Sequence, residues 1–305
     1  MNAADLAPSY ELVVIGGGPA GLAAAALAAK AGVQTVLFDE NPGVGGQIYR
    51  GIATTPVRNR AVLGEDYWAG AVLASDGEAS GATIVTGATV WSLDPNRLVG
   101  VSIAGQARLI QAKRVIIATG SMERPFPIAG WTLPGVMTAG AAQTALKAQG
   151  LVPTGRTILA GCGPLLWLLA AQLLRAGTKL EAVLDTTPRV NWLKAAMHLP
   201  DFLLSPYWSK GLALMREVKA RVPVIGVSRL SALGKDRLAE VVFATGAGER
   251  RMKVDLLLLH QGVVPNVNLA MAAGVPHRWN ARQLCFEPVV DADFATSIPG
   301  IAVAG

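Results

Sequence analysis

The stretch Leu12-Val-Val-Ile-Gly16-Gly17-Gly18-Pro19-Ala20-Gly21 runs from an aliphatic segment through three glycines into an Ala- and Leu-rich window that ends at Gly32. That order reads as strand, tight turn, helix and C-cap. A second apolar run, Gln34 to Phe38, closes a parallel unit whose crossover is the helix. The glycines have separable tasks at a dinucleotide phosphate: Gly16 permits the turn, Gly18 lets backbone approach the pyrophosphate, and Gly21 lets the helix pack close to the strand. Pro19 and Ala20 open the helix, whose N-terminus offers unpaired N–H groups to phosphate. An acid at the end of the second strand is expected to bind the adenosine ribose; Asp39 lies 18 residues past Gly21, with Glu40 beside it.

The same plan recurs 145 residues later as Ile158-Leu-Ala-Gly161-Cys162-Gly163-Pro164-Leu-Leu166. The offset persists through Lys30-Ala-Gly32 and Arg175-Ala-Gly177, and it places Glu40 on Asp185. Two units of one type follow. The second departs where Leu166 replaces the third glycine, which pushes the helix from the strand or changes how a dinucleotide lies. Gly161, Gly163, Pro164 and Asp185 are its candidate nucleotide contacts, and Asp185 favours an unphosphorylated ribose, hence NAD over NADP, if that site holds anything.

Among 305 residues 51% are hydrophobic, 34 are glycine and only 16% are charged, which excludes disorder and a solvated coiled coil. The net charge of +6 is scattered, with no basic cluster longer than Arg250, Arg251 and Lys253, so no nucleic-acid partner is expected. Leu12 to Ala29 is apolar, but five of its residues are Gly or Pro; buried parallel strands explain such hydropathy without a transmembrane segment. Two cysteines, Cys162 and Cys285, make neither a disulfide framework nor a zinc or iron–sulfur spacing. A cytoplasmic setting is expected, with peripheral membrane association left open, and no metal site.

Two further stretches carry glycine turns. Asn41-Pro-Gly-Val-Gly45-Gly46-Gln47-Ile48-Tyr49-Arg50 is a loop open to close ligand approach, and Arg114-Val-Ile-Ile-Ala118-Thr119-Gly120-Ser121 is a buried strand ending in small residues. A comparable strand end is Asp255 to Leu259 followed by Gly262-Val-Val-Pro265-Asn266.

With these motifs the chain resembles flavoproteins that carry two dinucleotide-binding domains, the glutathione reductase and thioredoxin reductase group. The resemblance implies that Gly16 to Gly21 hold the pyrophosphate of FAD, that Gly46 and Gln47 lie by the ribityl chain and flavin, and that Ala118, Thr119 and Gly120 mark the exit to the second domain. It further implies that Arg50 balances charge on reduced flavin or phosphate, the alternative being a solvated loop cation, and that Val90 lends its backbone to adenine.

Asp39-Glu-Asn-Pro with Gly45-Gly-Gln-Ile-Tyr-Arg50, Ala118-Thr-Gly-Ser-Met-Glu-Arg-Pro-Phe-Pro127, Gly130-Trp-Thr-Leu-Pro-Gly-Val136 and Leu159-Ala-Gly-Cys-Gly-Pro-Leu-Leu166 resemble more narrowly the FAD-carrying alpha subunits of heteromeric amino-acid and opine dehydrogenases. In that group, which includes octopine and nopaline oxidase and hydrogen cyanide synthase, the resemblance implies a catalytic flavin-containing dehydrogenase partner and a small ferredoxin-like subunit.

The pattern breaks in two places. The family's ribityl-binding aspartate would be residue 306, and its cysteine-rich C-terminal region has no counterpart. The sequence is therefore expected to be a piece of a longer polypeptide, without an iron–sulfur cluster of its own. No C-x-x-C supports disulfide reduction, and no residue has the placement of a catalytic acid or base, so the catalytic set is empty. Cys162 is expected as a small packed residue and His260 as a satisfied structural histidine.

The expected architecture is α/β: two Rossmann-like domains, the second inserted in the first, with a small β-meander from Thr83 to Leu109. The FAD domain covers residues 1–122 and resumes at 267–305; the inserted domain covers 123–266 and holds NAD, another adenine nucleotide or nothing. The expected function is the FAD-binding subunit of a heteromeric amino-acid, imino-acid or opine dehydrogenase. Its rivals are a free-standing NAD(P)H-dependent flavin reductase and a redox-silent scaffold.

Overall fold

A computed structural model describes residues 3–188, 190, 191, 195 and 197–305. The chain divides into two compact units, the first formed by Met1–Pro56, Glu65–Met122 and Val264–Gly305, the second by Val57–Gly64 and Glu123–Val263. A division at residue 122 does not separate the segment 57–64, which groups with the second unit.

The first unit opens with β1 (Ser9–Ile15), α1 (Pro19–Lys30) and β2 (Thr35–Asp39). Proline at the first turn suits α1 because that position needs no N–H donor, and Lys30 sits favourably at its carbonyl end. After α2 (Arg60–Leu63), which belongs to the second unit, come α3 (Glu65–Trp68), α4 (Gly70–Glu78), β3 (Thr83–Thr86), β4 (Ala88–Leu93), β5 (Leu98–Ile103) and the long β6 (Gln106–Ile117). Strands β3, β2, β1 and β6 pair in that order, all parallel. Every residue of β2 is buried, as expected of a parallel strand covered on both faces.

The meander is β4–β5–β6, joined antiparallel. It starts at Ala88: Thr83–Thr86 joins the parallel sheet beside β2, because its residues register with Val36 to Asp39. The first unit's core includes Val13, Val36, Phe38, Val99 and Val115, each at most 1% exposed. Each such apolar side chain contributes about 1.5–3 kcal/mol of transfer free energy.

From β7 (Ser121–Glu123) the chain enters the second unit through β8 (Val136–Thr138), α5 (Ala139–Gln149), β9 (Thr157–Gly161), α6 (Pro164–Arg175) and β10 (Leu180–Asp185). Next are α7 (Leu199–Leu203), α8 (Pro206–Lys219), β11 (Val224–Gly226) and an antiparallel sheet of β12 (Arg229–Gly234), β13 (Leu238–Thr245) and β14 (Gly248–Lys253). The last strand is β15 (Leu256–His260), and the main sheet has the order β11-β10-β9-β15-β8, all parallel. Helices α1 and α6 keep the 145-residue offset at both ends. The antiparallel sheet was not foreseen; its inner residues Leu230, Ala232, Val241 and Phe243 share a core with Ile158 and Leu257.

Returning through β16 (Val263–Pro265), the chain completes the first unit with α9 (Asn268–Ala272), the hairpin β17 (His277–Asn280) and β18 (Cys285–Pro288), and β19 (Ile301–Val303), which pairs parallel with the end of β6.

Candidate functional site

In the first unit the order of strands reverses between β1 and β6, and ligands of open α/β sheets bind at the carboxyl ends of strands flanking such a point. There the Gly16 N–H donates to Phe38 O (2.8 Å) and the Ala118 N–H to Ile15 O (2.7 Å). The turn tolerates no side chain: a Cβ on Gly16 would lie 2.2 Å from Ala118 O, and one on Gly21 would lie 1.9 Å from Gly16 O. Gly21 thus lets α1 start directly against the strand it follows. The N-cap of α1 is Gly18, which has no side chain to cap the first turn.

The second glycine loop docks on the first. Gly45 N–H donates to Gly17 O (2.7 Å), and a Cβ on Gly46 would come within 2.8 Å of Gly18 Cα. Between these loops and the end of β6 lies a cavity of about 610 Å³, within the usual range for ligand pockets. Gly16, Gly18, Pro19, Ala20, Asp39, Glu40, Gly46, Gln47, Arg50, Val90, Ala118, Thr119 and Gly120 all line it. Gly21 does not; it acts beneath the turn.

Arg50 is the informative wall residue. Its carbonyl accepts from the Tyr67 hydroxyl (2.8 Å), yet its Nε is buried without a hydrogen-bond acceptor. Other atoms of Arg50 reach the cavity wall and bring a cation to it. Backbone N–H groups at a helix start together with this cation fit a ligand carrying anionic oxygens. Asn266, Asn268, Leu269 and Ala272 also line the cavity and were missed by sequence reasoning. Only the Pro265-Asn266 strand end hinted at them; Asn266 is tied to the Ala118–Gly120 turn through Gly120 O (2.8 Å) and the Thr119 hydroxyl (3.1 Å).

The acid at the end of β2 lines the cavity and is also engaged by the protein itself. Asp39 is only 5% exposed, and its oxygens accept from the Gly17 N–H (2.6 Å), the Asn41 N–H (2.7 Å) and the Asn41 side-chain amide (2.8 Å). Its carboxylate braces the glycine turn. Glu40, the next residue, is exposed on the wall of the same cavity that Asp39 lines.

Gly161, Gly163, Pro164 and Asp185 lie in the second unit, where Gly163 and Pro164 start α6 and Asp185 ends β10. The sequence offset equates Asp185 with Glu40, but β10 has a register shift between Leu180 and Ala182. Ile15 faces Phe38 in the first unit, whereas its counterpart Ala160 faces Leu184. Asp185 therefore corresponds to Asp39 and Thr186 to Glu40. In agreement, both aspartates accept a backbone N–H two residues on, from Asn41 and from Thr187 (2.9 Å).

His260 is satisfied: its Nδ1 lies 2.6 Å from Glu123 Oε1, and Glu123 Oε2 accepts from the Gly140 N–H (2.7 Å) at the start of α5. Cys162 is half-buried rather than simply packed, with its thiol on Gln261 Oε1 (3.1 Å); burial pushes that thiol's pKa up. Among the described residues no group of His, Cys, Asp and Glu could hold a metal ion, and no helix is long and apolar enough to cross a membrane.

The family model described as pyridine nucleotide-disulphide oxidoreductase matches residues 10–305. The chain belongs to that family. It is 46% identical over 312 residues to an opine oxidase subunit of Agrobacterium tumefaciens, an alignment covering 99% of this chain and 62% of the relative. It is 33% identical over 281 residues to hydrogen cyanide synthase subunit HcnB of Pseudomonas aeruginosa, covering 87% of this chain and 59% of the relative. The chain thus spans about three fifths of the length of these relatives. Among solved structures, L-proline dehydrogenase from P. horikoshii aligns with a TM-score of 0.67 at 19% identity over 97% of this chain and 50% of the other. Thioredoxin reductase from T. acidophilum does so with a TM-score of 0.67 at 20% identity over 98% and 90%. The two parallel sheets thus have the Rossmann-like fold of this family.

Proposed function

We propose that this family member is the FAD-binding subunit of a heteromeric amino-acid, imino-acid or opine dehydrogenase, receiving electrons from a catalytic flavin-containing partner and passing them to an acceptor. The observation that carries the reading is the first-unit cavity, where two interlocked glycine loops, the start of α1 and the cation of Arg50 converge. The high identity to an opine oxidase component supports the heteromeric part.

In this reading the first turn of α1 and Gly16 to Gly18 take the pyrophosphate, Glu40 accepts from the adenosine ribose hydroxyls, and Val90 flanks adenine. Gly46, Gln47 and Arg50 face the ribityl and flavin end, with Thr119 and Gly120 opposite. FAD supplies the electron chemistry; the protein positions it and tunes it through neighbouring charge. Arg50 lowers the energy of negative charge beside it, and Asp39 holds the turn rigid. No acid or base side chain is needed in this chain, so oxidation of the amine is assigned to the partner.

The test is co-expression with the genomic neighbours, followed by an absorption spectrum and mass analysis of the extracted cofactor. Flavin in the purified complex, with substrate-dependent bleaching, is the expected result. A colourless complex that retains this chain refutes the reading; bleaching of the isolated chain by NADH replaces it with a free-standing flavin reductase.

A further inference from the structure

The second unit repeats the strand-turn-helix plan of the first, and its departures fall on the atoms that a dinucleotide would meet. At the position where backbone must approach a pyrophosphate, φ is −74° in Gly18 and +87° in Gly163. That change turns the preceding peptide over relative to the helix start. The two helices start at equivalent prolines, but Gly18 O accepts from Leu22 N–H four residues on (2.9 Å) and Gly163 O from Leu166 N–H three residues on (3.2 Å). Leu166 itself is wholly buried where the first unit has Gly21, whose close packing a side chain forbids.

Asp185 keeps the place of Asp39, but the residue after it has changed. With the corrected register, Thr186 stands where Glu40 stands in the first unit, and its hydroxyl oxygen is taken by Gln261 Nε2 (2.7 Å). The same Gln261 accepts from the Cys162 thiol (3.1 Å), and Cys162 N–H donates to His260 O (3.0 Å). One side chain therefore laces together the ends of β9, β10 and β15, the three strands that would form the mouth of a nucleotide site. Beside it, Glu123 bonds both His260 and the Gly140 N–H at the start of α5.

We infer that the second unit of this chain does not bind NAD(H) or NADP(H), and that Gln261 instead ties its strand ends into a structural mouth. The inference goes beyond the proposed function: whatever the first unit holds, its electrons do not come from a pyridine nucleotide seated in the second.

The test is titration of the purified chain with NADH and, separately, NADPH, followed by calorimetry and by protection of segments 161–166 and 185–187 from hydrogen exchange. No saturable heat and no protection is expected up to about 1 mM, the top of the common range for enzyme substrates. Saturable binding of either nucleotide with protection of those segments overturns the inference. A Gln261→Ala variant tests the lacing separately: exchange at the same segments should rise at least about fivefold, as expected on losing a local hydrogen-bonded tie. Unchanged exchange would refute Gln261 as the tie. Flavin content, recorded on the same samples, is independent, so failure of the flavin reading leaves this result interpretable.

Discussion

Asp39 and Glu40 are adjacent carboxylates with opposite surroundings, and exchanging them one at a time separates bracing from binding. In Asp39→Asn the shape is kept, but one oxygen becomes an NH2 group facing an N–H that the carboxylate now receives at 2.6 or 2.7 Å. One charge-assisted hydrogen bond is lost and a donor in a buried turn is orphaned, a cost of about 2–3 kcal/mol. For a domain of 150–250 residues each kcal/mol moves the melting midpoint by about 2–4 °C, so a fall of roughly 5–10 °C is expected. Glu40→Ala removes an exposed side chain, and its midpoint should stay within roughly 2 °C of the parent, as surface changes usually alter stability by less than about 0.5 kcal/mol. It should instead weaken FAD roughly 10- to 100-fold, through loss of a hydrogen bond to a charged acceptor. The assay pairs thermal unfolding of the apoprotein with a fluorescence titration by FAD. A stable Asp39→Asn protein with weakened FAD, or a Glu40→Ala protein that binds FAD normally, would refute the division of labour.

Gly21→Ala puts a methyl group 1.9 Å from Gly16 O, so α1 must shift from the turn; unfolding and flavin content should both suffer, by about 3 kcal/mol or more in stability, and a melt equal to the parent would contradict the packing. Arg50→Met removes a donor that has no acceptor at Nε, so apoprotein stability should change little while FAD affinity falls about 10-fold or more; equal affinity would show that Arg50 faces solvent only. Asp255 is held down to about 2, first by the Arg156 side chain and then by the Arg156 N–H. Because the folded pKa is depressed, its stabilising contribution is present above about pH 4 and is lost as pH falls toward about 2. Acid unfolding of Arg156→Gln should show a smaller component of this kind, since only the backbone N–H remains, and superimposable acid profiles would refute it.

Much of the fold is local and was legible for that reason. Gly16-x-Gly18-Pro19-x-Gly21 and its echo at Gly161 dictate two strand-turn-helix starts because a glycine turn, a proline at the first helical position and an Ala-rich window act over a short stretch of chain. Much of the cavity wall followed from the glycine turns, whereas Asn268 to Ala272 enter it from a segment far along the chain and carry no signature of their own. Thr83–Thr86 was read into the meander because a short β-branched strand has the same appearance in either sheet; only its pairing with Val36 to Asp39 assigns it.

The sequence by itself determined that two parallel units exist, that both open on glycine turns, and that a pair of acids closes the first unit's β2 strand. Tertiary structure alone decided which acid is bonded to the glycine turn and which stays exposed, because successive residues at a strand end project to opposite sides and only packing says which side is buried. It likewise decided that Asp185 corresponds to Asp39 and Thr186 to Glu40. A single extra residue in β10 shifts every later pairing by one, and pairing register is a property of two strands that no one strand's sequence contains.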